Sequence, residues 1–385
     1  MNIGFDAKRA YQNTTGLGHY SRTLIHSLAT FFPENEYYLF APILSSLFDT
    51  AAFKNMHRVT PTSFPSSLLR AAWRSSWMKK DLQKNGITVY HGLSHEIPFG
   101  IRSAGIRSVV TIHDLIHERN PEQYNRFDVS IYQKKFRYAC THADTVIAIS
   151  EQTKKDIIEF YQTPADKITV CYQSCNPSFR SVATDEEKQR IRKLYGLPDR
   201  FFLYVGSIIE RKNLLTICKA LQQLENKIDI PLVVIGDGGK YKQIVKDFIQ
   251  KKGISKRVIF LSEDPGIKLL PSYRSAKDFP AIYQLATCLI YPSLFEGFGI
   301  PVLEALCSGL PVITSNLSCL PETGGDAACY VDPFNAEQIA AAILQISHGG
   351  ILVEEMKKKG WLHAEKFLPR HCASSVMEVY TKLLA

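Results

Sequence analysis

The chain has 385 residues, 46 Lys and Arg against 37 Asp and Glu for a net charge of +9, and 45% hydrophobic residues. That length suits two or three domains, each able to bury a core, and the near-average composition excludes wholesale disorder, a collagen-like repeat and a small disulfide scaffold. Nine scattered cysteines, with no Cys-x-x-Cys pair, speak for reduced thiols and against zinc, and the absence of a long apolar run predicts neither a signal peptide nor a membrane span.

Short apolar runs alternate with amphipathic stretches from the start. Ile3–Phe5, Tyr37–Phe40, Thr88–Tyr90, Val109–Ile112 and Thr145–Ala148 read as buried strands, with helical patterns such as Tyr20–Thr30 and Tyr132–Thr141 between them. This is the pattern of a parallel sheet covered on both faces. Gly16 and Gly18 stand in a long connection between the first strand and the helix from Tyr20. That connection is unlike the Gly-x-Gly-x-x-Gly turn of a dinucleotide site, since Ser21 replaces the third glycine. Lys54 to Lys84 holds seven basic residues and one acid, Asp81. Within it Leu69, Trp73 and Trp77 repeat every fourth residue, with Arg70 and Arg74 beside them. The face fits either a core helix with both tryptophans buried or a helix lying on an anionic membrane.

Tyr172–Asp199, with Pro177, a charged helix over Asp185–Leu194, Gly196 and Pro198, reads as the linker between halves. A second alternating series follows. Phe201–Val205, Leu232–Ile235, Val258–Leu261, Cys288–Tyr291 and Val312–Thr314 are predicted strands, and Leu214–Leu224, Pro301–Ser308 and Phe334–Ile346 are predicted helices. Ser262–Lys277 reads as an irregular insertion. Two Rossmann-like halves in tandem imply a ligand cleft at the carboxyl ends of facing strands.

The stretch Glu296-Gly297-Phe298-Gly299-Ile300-Pro301 follows a predicted strand and opens a helix. Gly297 and Gly299 let the backbone approach a ligand, and Pro301 suits the first helical turn, where its missing N–H costs nothing. The N–H groups near Gly299 and Ile300 would form an anion site suited to a diphosphate. Glu304, one turn inside, can reach hydroxyls, and Glu296 lies where an attached sugar would sit. Arg211 and Lys212 lie between a strand end and a helix starting near Asn213. His113 ends the strand Val109–Ile112. It can hydrogen-bond a sugar hydroxyl, or it can be a satisfied structural histidine.

These residues resemble a known family. The Glu296…Glu304 block with Gly309-Leu-Pro311-Val312 is similar to the signature of retaining GT-B glycosyltransferases of family 4 (glycosyl transferases group 1). So are Thr15-Gly16-Leu17-Gly18-His19-Tyr20, His113-Asp114-Leu115, Ala148-Ile149-Ser150, Glu210-Arg211-Lys212-Asn213, Pro321-Glu322 and Asp332-Pro333. The resemblance covers nearly the whole chain. It implies an α/β GT-B fold of two facing Rossmann-like domains with an interdomain cleft: residues 1–180 on the acceptor side, 181–365 binding the nucleotide-sugar, and a C-terminal helix in 366–385 packing back on the first domain. It implies that Glu296 orients the sugar and stabilises its positive charge, that Glu304 binds the ribose, and that Arg211, Lys212 and the backbone of Gly297, Phe298, Gly299 and Ile300 hold the diphosphate. Gly16 and Gly18 would contact the donor, and His113 would line the sugar pocket. Many relatives carry an Arg where this chain has Ser207. Lys212 is therefore the primary cation, and Arg211 can supply the missing charge.

No Asp-x-Asp occurs, so the resemblance implies a metal-independent enzyme with no cofactor beyond the nucleotide-sugar co-substrate. The opening motif resembles bacterial mannosyltransferases of surface-polysaccharide assembly. GDP-mannose is then the first expected donor, with UDP-hexoses as the alternative, and the expected acceptor is a glycan or lipid-linked glycan. The expected location is cytoplasmic, with peripheral contact at the inner, anionic membrane face, and no nucleic-acid partner is expected. A sugar-nucleotide epimerase and a silent nucleotide-sugar-binding scaffold are the rival readings.

Overall fold

The computed structural model describes residues 1–62 and 69–385. The chain forms two compact units, Met1–Cys175 together with Phe367–Ala385, and Asn176–Lys366.

The first unit is built on a seven-stranded sheet in the order β3-β2-β1-β4-β5-β6-β7. The strands are β1 (Asn2–Asp6), β2 (Glu36–Phe40), β3 (Met56–Val59), β4 (Val89–Gly92), β5 (Arg107–Ile112), β6 (Thr145–Ala148) and β7 (Ile168–Val170). Every pairing is parallel. Successive residues feed opposite faces of the pleat. Val109 and Ile147 join a core with Ile25, Leu28, Val376 and Tyr380, while Val110 and Val146 join one with Trp73, Leu82 and Phe136. Both faces are thus buried, which is why the strands read as apolar runs. The helix Pro369–Leu384 returns to this unit and lays Ala373, Val376, Met377 and Tyr380 into the first of these cores. The Tyr380 hydroxyl meets Nδ1 of buried His91 at 2.6 Å.

The second unit carries a six-stranded parallel sheet in the order β10-β9-β8-β11-β12-β13. Its strands are β8 (Phe202–Val205), β9 (Leu232–Ile235), β10 (Val258–Phe260), β11 (Cys288–Tyr291), β12 (Val312–Ser315) and β13 (Ala328–Val331). In each sheet the order reverses once, between β1 and β4 and between β8 and β11. Those switch points are where open α/β sheets bind ligands, at the strands' carboxyl ends.

Several expectations are corrected. The helix expected from Tyr20 starts at Gly16 and runs Gly16–Phe31, and the connection before it contains a helical turn, Lys8–Gln12. The Asn13 carboxamide tightens this start by accepting from the N–H groups of Thr15 at 2.9 Å and Gly18 at 3.0 Å. Residues 262–277 are ordered rather than irregular. They hold the short helices Pro265–Leu269 and Pro271–Arg274, the first capped by Asp264. The charged helix Asp185–Tyr195, expected as linker, is part of the second unit, and the boundary falls at Cys175 and Asn176.

The two tryptophans part company. Trp73 is fully buried, but Trp77 is 36% and Leu69 50% exposed. Trp73–Trp77 is a π-helical turn, whose i→i+5 bonding widens the spiral and carries Trp77 off the row of Trp73. Met78 and Leu82 fill the core instead. Arg74 is also withdrawn from the surface, with its guanidinium paired to Asp6 and Glu96. No single helix among the described residues is long and apolar enough to cross a membrane.

Candidate active site

The second unit brings together four of the predicted groups at the β8/β11 switch point. Tyr291 ends β11, and the chain runs through Ser293 to Glu296 before the helix Ile300–Cys307 begins. From the neighbouring strand, Val205 leads through Gly206 to the turn Glu210–Lys212. Asn213 pins that turn to the sheet. It adopts φ +61°, and its amide donates to the carbonyls of Pro292 at 3.1 Å and Pro333 at 2.7 Å. The Lys212 side chain lies across Gly206, where a Cβ would stand 3.0 Å from Lys212 Cδ.

Glu296 is the hub. Its Oε1 lies 2.8 Å from Arg211 Nη1 and 3.1 Å from Lys212 Nζ. The same oxygen accepts from the hydroxyls of Tyr291 at 2.9 Å and Ser293 at 2.8 Å. The Glu296, Arg211 and Lys212 side chains are only 11–13% exposed. Burial pushes the Glu296 carboxyl up, but Lys212, Arg211, Ser293 and Tyr291 together outweigh it and bring the pKa down to about 2. Burial and the Arg211 charge lower Lys212, with Glu296 opposing them. A carboxylate held ionised this firmly is a fixed negative charge rather than a proton donor at neutral pH. Ser318 and Cys319 clamp its backbone: Ser318 Oγ accepts from the Glu296 N–H at 3.0 Å and donates to its carbonyl at 2.7 Å.

The following residues shape the helix start. Gly299 has φ +91°, and a Cβ there would stand 2.7 Å from Leu320 Cδ2. Phe298 is buried and its carbonyl accepts from the Thr323 hydroxyl, so its ring anchors the loop. Ile300 and Pro301 open the helix at its positive end. Glu304 points back toward the cations. Tyr283 donates to its Oε2 at 2.8 Å, and burial pushes its carboxyl up to about 7, against the Tyr283 hydrogen bond and the Lys212 charge.

Gly16, Gly18 and His113 belong to the first unit. Gly16 is the exposed first residue of its helix, with open space where a Cβ would stand. Gly18 is buried, and a Cβ there would meet the Asn13 carbonyl oxygen at 1.9 Å, so local packing alone requires that glycine. His113 lies just past β5 and is 5% exposed. Its Nε2 is 2.9 Å from the Leu93 carbonyl, its ring packs on Tyr20, and burial brings its pKa down to about 4. With Nε2 donating to that carbonyl, the neutral ring keeps Nδ1 as an acceptor.

A family model described as Glycosyl transferases group 1 matches residues 185–362, and one described as Glycosyltransferase Family 4 matches residues 15–179. The chain belongs to this glycosyltransferase family. O-antigen chain mannosyltransferase B of Escherichia coli is 27% identical to this glycosyltransferase, with 100% of both chains covered. The serotype-specific mannosyltransferase WbdA of Escherichia coli is 25% identical over 76% of the chain, which spans 36% of that protein. The crystal structure of Anabaena HepE in complex with UDP-glucose is similar with a TM-score of 0.74 at 15% identity, covering 99% of this chain and 100% of that one. The fold is GT-B.

Four contributors in this glycosyltransferase escape sequence reasoning, Tyr291, Ser293, Tyr283 and Ser318, and the motif that contains Asn213 does not announce its clamping role. Only Tyr291 leaves a trace, as a hydroxyl-bearing residue at the carboxyl end of an otherwise apolar strand. Glu304 carries a pH prediction. Where Glu304 holds the donor ribose, as the resemblance implies, its carboxylate accepts from two hydroxyls and its protonated form accepts less well. Donor KM is therefore expected to fall as pH rises through about 7, and Glu304→Gln to flatten that dependence. Steady-state kinetics between about pH 6 and 8 check it; an unchanged profile in the variant rejects the assignment. The stability linkage has the opposite sense. A raised folded-state pKa stabilises below the unfolded value, and that stabilisation is lost as pH rises through about 7.

Proposed function

We propose that this glycosyltransferase moves a mannosyl group from GDP-mannose to a hydroxyl of a glycan or lipid-linked glycan, with retention and without a metal. The observation that carries the site assignment is the ionised Glu296 between Arg211 and Lys212 at the β8/β11 switch point. The names of the two Escherichia coli relatives support the mannosyl donor.

In this reading the diphosphate lies against Lys212, Arg211 and the 297–300 backbone, and the ribose lies on Glu304. The acceptor oxygen bonds to the sugar's anomeric carbon as the bond to the diphosphate breaks on the same face. The acceptor's proton leaves with a donor phosphate oxygen. Glu296, too weak a base to take that proton, offsets the positive charge that develops on the sugar. The cations offset the negative charge gathering on the departing diphosphate, so the chemistry needs no metal at this point. Within the first unit, Gly16 offers open backbone, and His113 Nδ1 is an acceptor for a hydroxyl. Leu69 and Trp77, exposed beside exposed Arg70 and Lys80, support peripheral contact with an anionic membrane. A chain that stays in solution with phosphatidylglycerol vesicles would remove that contact.

The deciding experiment is a panel of GDP-mannose, UDP-glucose and UDP-galactose, scored by thermal shift and by slow donor hydrolysis, with and without excess chelator. GDP-mannose is expected to stabilise and be hydrolysed under both conditions. Stabilisation by a UDP-hexose alone would reassign the donor, and loss of turnover in chelator would overturn metal independence.

A further inference from the structure

The helix Ile351–Ala364 is the last α-helix of the second unit. It buries Val353, Met356, Gly360 and Ala364 on one side. Gly360 lets that side come close to the helix Ile300–Cys307: a Cβ there would stand 3.1 Å from Leu306 Cδ2. At 3.6 residues per turn, Ile351, Glu355, Lys358 and Leu362 fall on the opposite side, within about 60° of one another. All four are exposed, Ile351 at 81% and Leu362 at 74%.

Single exposed aliphatic residues are ordinary. The order along this stripe is not, because apolar, acid, base, apolar is its own complement when reversed. A two-fold axis across the middle of the helix sets Ile351 of one copy against Leu362 of the second copy, and Glu355 against Lys358 of the second copy. Each contact then occurs twice. The intervals of four, three and four residues are those of a coiled-coil seam, so the paired stripes stay in register over about 16 Å. A parallel alignment would oppose Glu355 with Glu355 and Lys358 with Lys358, so charge selects the antiparallel one.

The neighbouring charges do not compete. Glu354 and Lys357 pair with each other at 2.8 Å, and no salt bridge among the described residues engages Glu355 or Lys358. Leu352 and Trp361, both exposed, flank the stripe on its two sides. Trp361 is braced on Gly309, where a Cβ would stand 2.8 Å from its Nε1. A lipid surface suits this stripe poorly, since it would meet charges of both signs at the centre of the buried face.

We propose that two copies of this chain associate through Ile351–Ala364, packed antiparallel about a two-fold axis. The contact is one helix wide, smaller than a standard interface, and corresponds to a Kd of about 10–100 µM.

Sedimentation velocity of the full chain over about 5–500 µM in low salt is expected to show a reversible monomer–dimer equilibrium. Ile351→Ala combined with Leu362→Ala is expected to weaken it by about tenfold or more, since both apolar contacts go. Glu355→Lys and Lys358→Glu each set like charges opposite one another, and each variant alone is expected to stay monomeric over the same range. Mixed together, the two single variants regain both opposite-charge contacts and are expected to form a mixed dimer. The double exchange in one chain, Glu355→Lys with Lys358→Glu, is expected to dimerise again. All four positions are exposed, so every variant is expected to melt as the wild type does. A wild type that stays monomeric throughout, a dimer that every variant keeps, or single variants that fail to combine would overturn the proposal.

Discussion

Glu296→Ala is expected to lower kcat by about 10²–10³-fold while nucleoside diphosphate affinity holds or rises. A preorganised charge opposite a developing one is worth about 3–4 kcal/mol in the transition state. Removing it also frees Arg211 and Lys212 from the partner that offsets their burial. Leaving a buried charge uncompensated costs about 3–5 kcal/mol. The variant should therefore melt early and recover disproportionately with GDP, whose diphosphate takes the vacated role. Glu296→Gln keeps the shape and can still accept from Tyr291 and Ser293, so it isolates the charge. Kinetics and thermal shift with GDP decide the matter. Near-normal transfer by both variants would remove Glu296 from the chemistry, and a parallel collapse of GDP binding would make it merely structural.

Gly236→Ala is expected to have the largest effect on folding. Gly236 follows β9 with φ +145°, and a Cβ there would stand 1.9 Å from the carbonyl oxygen of Gly206, backbone against backbone. Nothing flexible can yield. Gly206 in turn lies under the Lys212 side chain, so the clash is transmitted to Lys212. A loss above about 4 kcal/mol belongs to the small class of changes with such a named steric cause. Calorimetry is expected to show the transition of the second unit abolished or much lowered, and a near-wild-type melt would contradict the geometry. Gly16→Ala is the contrasting case, since it adds a methyl in open space at a helix start. Its melting is expected to be unchanged or up to about 1 kcal/mol improved. A donor KM that nonetheless rises would show that a ligand needs the room.

The central strands were legible because both their faces are buried, leaving near-continuous apolar runs such as Val109–Ile112 and Leu232–Ile235. The strands that sequence reading passed over are β3, β7 and β13, all at sheet edges. Their burial is partial; Met56–Val59 contains His57 and Arg58, while the apolar runs of β7 and β13 are only three and four residues long. The loop from Glu296 to Pro301 was legible because glycine and proline at fixed places announce their backbone roles. Its pairing with Arg211 and Lys212 came from resemblance and needed the fold, because only the β8–β11 adjacency brings the two loops together. The separation of Trp77 from Trp73 was not legible: a π turn breaks the helical period on which the inference rested.

The return of Pro369–Leu384 to the first unit has a temporal side. A ribosome makes all of residues 176–366 between the last strand of the first sheet and the helix that closes one of its cores. At about 5–20 residues per second that interval is on the order of ten to forty seconds. Throughout it the strip destined for Ala373, Val376 and Tyr380 stays uncovered, and the buried ring of His91 lacks its Tyr380 partner. The unit that comes first in the sequence is therefore the second to complete its core, and its nascent apolar face must wait, shielded or at risk, for its neighbour to be made.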